Sequence, residues 1–175
     1  SGPSGLPAAK RASAAAAEFD GGMDVIRRFS PEAYARALES WAWTDLFGKE
    51  PRFCSPFGDV FLEGVDGWWF LDTLEGTLTR RWDTAEACHA ELNTVAGQEQ
   101  YLLVGLAEAA DAAGVVPGED EVYSFTRPPV LGGELEPANI ELLDFIVSVN
   151  LLGQIHEQVK DLPPGAHVAS LQLHD

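Results

Sequence analysis

The sequence predicts an α+β domain in which an antiparallel sheet, a meander of three or more strands, packs with helices. Two observations carry this. Residues 53–83 are rich in aromatic and β-branched residues and are broken by Asp66-Gly67 and Glu75-Gly76 turns, which is the pattern of consecutive hairpins. The helical spacings fall outside that block, so strands cluster rather than alternate with helices. A hydrophobic fraction of 46% over 175 residues supports a single core, with no internal repeat.

Residues 1–22 read as a disordered or added tail, poor in core residues, and 23–175 as one domain. Met23 is the only methionine and follows Gly21-Gly22, so native translation is expected to begin there. Ser30-Pro31-Glu32 supplies a capping hydroxyl, a proline for the first helical position and an acid near the positive helix end. Tyr34, Leu38 and Trp41 follow at helical spacing, and Gly48 and Pro51 end the segment. Strands are expected over 60–62, 68–74 and 77–82.

Asp83-Thr84 caps the next helix, a break falls at 95–97, and Gln98 to Ala113 reads as one helix ended by Gly114. Leu102, Leu103 and Leu106 are its expected inward residues. A polar loop leads to a strand over 122–126. Pro128-Pro129-Val130-Leu131-Gly132-Gly133 excludes regular structure, because proline removes donors and glycine admits positive φ. Residues 140–145 read as a strand or a helix start. Ile146, Val149, Leu152, Ile155 and Val159 mark a final helix that Pro163-Pro164-Gly165 stops.

Charge narrows the function classes. Eleven basic residues against 28 acidic ones give a net charge of −17. Such a surface repels nucleic acid and anionic lipid and favours a basic protein partner. Residues 97–175 hold 13 acids and only two bases, Arg127 and Lys160. No signal peptide or membrane-spanning run is evident, and two cysteines make no disulfide framework, so a cytoplasmic location is expected.

Motifs for chemistry are missing. There is no Rossmann fingerprint and no P-loop. Cys88 and His89 are adjacent on a helix and point apart, and no ligand spacing for a metal appears. His156 and Glu157 are likewise neighbours that do not face each other, so His156 reads first as a hydrogen-bonded boundary residue. The five tryptophans read as core, with Trp68 and Trp69 sent to opposite sheet faces by strand alternation. Neither an enzyme nor a cofactor is expected.

Three segments together resemble the C-terminal domain of Tdi-type immunity proteins associated with type VI secretion. They are Phe57-Gly58-Asp59-Val60-Phe61 with 67–74; Tyr123-Ser124-Phe125 with 128–133 and Asn139-Ile140; and Gly153-Gln154-Ile155-His156-Glu157-Gln158 with 162–165. That family often carries a GAD-like N-terminal domain, whereas only residues 23–56 precede the resemblance here. The resemblance implies a non-catalytic immunity protein, without cofactor, that binds and blocks a secreted DNase toxin. An acidic inhibitor can imitate the phosphates that a nuclease holds. Glu119, Asp120, Glu121, Glu134, Glu136, His156 and Glu157 are the candidate partner-binding residues. The alternative function is a repurposed domain that binds a regulatory protein or a small ligand.

Overall fold

The computed structural model describes residues 26–163 and 171–174. The expected tail, Met23 and the Pro164-Gly165 part of the expected helix stop lie outside them. The fold is α+β. A four-stranded antiparallel meander runs in the order β1 (Glu50–Cys54), β2 (Val60–Gly64), β3 (Gly67–Asp72) and β4 (Thr77–Trp82). Gly64 pairs with Gly67 at the first hairpin, and Asp72 with Thr77 at the second. A separate ribbon pairs β5 (Glu121–Phe125) with β6 (Ile140–Asp144), so the ambiguous 140–145 segment begins as a strand.

The first strand escaped the sequence reading because Pro51 looked like a stop. It sits in β1 on the edge of the meander, where a missing N–H is tolerated. The strand shifts register between Pro51 and Phe53.

The helices are α1 (Pro31–Ala37), α2 (Ala85–Leu92), α3 (Val95–Gly97), α4 (Val104–Ala112) and α5 (Phe145–Val159). Ser30 and Thr84 cap α1 and α2 through their hydroxyls, as expected. The single helix expected over 98–113 is a correction. A π turn covers Gln98–Leu102, and Leu103 then adopts φ 50°, a left-handed conformation that ends it. The Glu99 carboxylate accepts from the Gly105 amide at 3.0 Å, so a side chain from the preceding turn satisfies the start of α4. Of the three leucines expected inside, Leu102 is buried while Leu103 and Leu106 are half-buried; Ala107 and Ala110 form the buried face of α4.

Alternation along the central strands feeds two cores, one on each face of the meander. Phe61, Trp68 and Phe70 join Phe53, Trp82, Leu92 and Tyr101 under α2. Val60, Leu62 and Leu71 join Tyr34, Trp41, Phe145, Val149 and Leu152 beneath α1 and α5. Trp69 packs half-buried on this second face, with Lys49 over its ring at 4.2 Å. A third cluster, around Phe57, Ala107, Tyr123 and Phe125, joins the ribbon to α4.

The longest helix is held by donors aimed at its main chain. After α1, a 3-10 turn (Glu39–Trp41) brings Trp41 to full burial. Its indole N–H donates to the Val149 carbonyl at 2.9 Å, and the Ser40 hydroxyl donates to that of Asn150 at 2.7 Å. Trp43 donates to the Gly153 carbonyl at 3.3 Å. This approach requires glycine at 153: a Cβ there would stand 2.1 Å from Ser40 Oγ and 2.8 Å from Trp41 Nε1. Gly153→Ala is expected to cost about 1–3 kcal/mol through forced separation of these elements. Urea unfolding measures this, and an unchanged midpoint would contradict it.

Candidate partner-binding face

The acidic loop ahead of β5 is built by hydrogen bonds. The Tyr123 hydroxyl donates to the Val115 carbonyl at 2.9 Å and fixes the loop's start. The Gly118 amide donates to the Glu121 carboxylate at 2.8 Å. Arg27 donates to the Gly118 carbonyl and, at 3.2 Å, to that of Glu119. The Phe145 amide donates to the Asp120 carbonyl at 2.8 Å. Glu119 and Asp120 therefore project as exposed side chains from a braced main chain, with Glu121 half-buried at its base.

A hollow lies on either side of this loop. One of about 310 Å³ is lined by Arg27, Glu108, Asp111, Val116 and Tyr123. The other, of about 300 Å³, is lined by Phe29, Glu32, Arg36, Asp120 and Asp144. Glu32 arrives from the first turn of α1, and Asp144 caps α5 by accepting from the Ile146 amide at 2.8 Å. The sequence marks Glu32 as a helix-start residue and leaves Asp144 inside the ambiguous 140–145 segment, and only their convergence adds them to the acidic face. Glu108 and Asp111 were missed because an acid on an exposed helix face is an ordinary solubility feature.

The other candidates stand elsewhere. Glu121 pairs with Asp144 at one end of the ribbon and Phe125 with Ile140 at the other, about 13 Å apart. Glu134 and Glu136 are exposed in the loop joining the second end. That loop explains its sequence motif. Asn139 accepts from the Arg127 amide and donates to the carbonyls of Arg127 and Glu134, all within 2.9–3.0 Å. A Cβ on Gly133 would overlap the Arg127 carbonyl at 1.6 Å. Glu157 is exposed on α5.

His156 is 4% exposed. It packs on Trp41, and its Nε2 donates to the Thr73 carbonyl at 2.8 Å. Burial lowers its pKa by disfavouring the charged form. Thr73 belongs to a second buried group. Its amide and hydroxyl both donate to Asp59 at 2.8 Å, and the Ser55 hydroxyl donates to the same carboxylate at 2.7 Å. Desolvation, with the Asp72 charge adding to it, pushes Asp59 up to about 6. Cys54 and Cys88 are buried free thiols whose pKa burial also raises, which suppresses thiolate chemistry.

Residues 90–156 match the family model described as T6SS immunity protein Tdi1, C-terminal. The match supports the resemblance to the C-terminal domain of Tdi-type immunity proteins. It spans the acidic loop, the ribbon, the Pro-Pro-Val-Leu-Gly-Gly loop and most of α5, and it begins after the meander. No curated protein matches the chain. Among the described residues no helix is long and apolar enough to cross a membrane.

Asp59 and His156 give stability opposite pH slopes. A carboxyl whose folded pKa is raised holds its proton better in the native state, so its contribution falls as pH rises from about 4 to about 6. A histidine whose folded pKa is lowered contributes stability above its ordinary value near 6.5, which is lost as pH falls below it. Asp59→Asn keeps an acceptor for Thr73 and a donor for Ser55. Between pH 4 and 6, wild type is expected to lose on the order of 2–3 kcal/mol relative to this variant. Parallel stability–pH curves in denaturant titrations would refute the assignment.

Proposed function

We propose that the protein is a cytoplasmic, non-catalytic immunity protein that neutralises a secreted DNase toxin by direct binding through its acidic face. Residues 23–175 act in this reading as one binding domain. The observation that carries it is the braced tip of Glu119 and Asp120 beside a hollow where Asp120, Glu32 and Asp144 converge. The family match supplies the class, an immunity protein of type VI secretion.

A fixed main chain presents these carboxylates without a large ordering cost on binding. Opposite charge on a nuclease's phosphate-holding surface accelerates encounter and orients it. Glu121 is a supporting residue in this reading, since its carboxylate holds the loop at Gly118. Glu134, Glu136 and Glu157, which lie apart from the tip, contribute to the general field rather than to the same contact.

The test partner is the product of the neighbouring gene, which this reading expects to be a toxin. Glu119→Lys with Asp120→Lys is expected to slow association about tenfold or more at low salt and to flatten its salt dependence. Stopped-flow binding and DNase inhibition measure both. An unchanged rate would remove the tip as the contact face, and a toxin that lacks nuclease activity would remove the DNase reading.

A further inference from the structure

Two glutamines on α5 hold a piece of main chain in a way that nothing in the immunity reading requires. Gln158 Nε2 donates to the Gln172 carbonyl at 2.6 Å, and its Oε1 accepts from the Gln172 amide at 2.8 Å. One turn earlier, Gln154 Oε1 accepts from the His174 amide at 2.5 Å, and its Nε2 donates to the His174 carbonyl. Each side-chain amide thus satisfies both main-chain groups of one residue.

The spacing has a physical basis. Positions four apart on a helix are separated by about 6 Å along its axis. In an extended chain, residues two apart are separated by about 6.6 Å and present their N–H and C=O groups to the same side. An i, i+4 glutamine pair therefore matches the i, i+2 repeat of a strand, and it does so antiparallel here, with 158 opposite 172 and 154 opposite 174. Asn150 Oδ1 also accepts from Gln154 Nε2 at 2.7 Å. That bond fixes which way the Gln154 amide faces, with its oxygen toward the His174 N–H.

We infer that Gln154 and Gln158 form a binding site for an extended peptide strand, read through its main chain and occupied here by the chain's own residues 171–174. No side chain of the segment takes part in these four bonds. The ligand class is therefore any strand free to present two alternate N–H and C=O pairs, comparable to strand addition at a sheet edge. The resident segment is an intramolecular competitor for such a strand. This inference is independent of the toxin's identity.

The test uses the full chain with Gln172→Pro and His174→Pro, which removes both donated amides from the resident segment. A capped peptide of residues 170–175 is then titrated while the side-chain amide signals of Gln154 and Gln158 are followed by NMR. Saturable shifts are expected, with a dissociation constant on the order of 1 mM, which suits four exposed hydrogen bonds. A peptide of the same length with alanine at positions 171 and 173 should bind within about threefold, and Gln158→Ala should weaken binding about tenfold. A peptide N-methylated at 172 and 174 should not bind. Absent shifts at about ten times that concentration, or equal binding by the N-methylated peptide, would overturn the inference. So would equally strong binding to the wild-type chain, whose own segment fills the site.

Discussion

The rest of the molecule depends on how α5 is seated. Trp41, Trp43 and Ser40 donate to three of its carbonyls, and Gly153 lets them come close enough to do so. An indole buried without a partner for its N–H would be costly, so these bonds determine where the helix can lie as well as how firmly. With α5 placed, its start at Asp144 is held against α1, and the Phe145 amide closes onto Asp120. The position of the acidic tip follows from contacts made further along the same helix, at Val149, Asn150 and Gly153.

A buried polar group ties that helix to the meander. Ser55 and Asp59 flank the loop from β1 to β2, Thr73 follows β3, and His156 reaches the Thr73 carbonyl from α5. Each member is hydrogen-bonded, which is the condition under which a buried network specifies an arrangement instead of weakening it. His156 is thereby explained as a joint. The same residue that resembled part of a contact motif is used inside the protein, and the neighbouring Glu157 and Gln158 take the outer face.

The acidic surface divides into parts with different relations to the fold. Near the tip, Glu32, Asp120 and Asp144 come from three distant stretches of chain and share one hollow. Glu134 and Glu136 belong to a loop whose order comes from Asn139 and Arg127. Net charge gives both regions long-range attraction for a basic partner, and the first combines that charge with a concave surface.

By itself the sequence determined the α+β class, the hairpins at Gly64–Gly67 and Glu75-Gly76, the caps at Ser30 and Thr84, and the acidic bias after residue 96. These follow from local rules: alternation, turn chemistry, capping and counting of charge. The edge strand at Pro51 was decided by tertiary structure, because it depends on having only one strand neighbour. The break at Leu103 is accompanied by a local bond, from the Gly105 amide to the Glu99 carboxylate, that hydrophobic periodicity does not reveal. The tip was legible as a run of acids at 119–121. Its companions Glu32 and Asp144 were not, because Glu32 arrives through the packing of a distant helix and Asp144 through strand pairing opposite Glu121. The glutamine clamp was equally hidden: its four-residue spacing is visible in the sequence, but its ligand is a main chain that only the fold brings alongside.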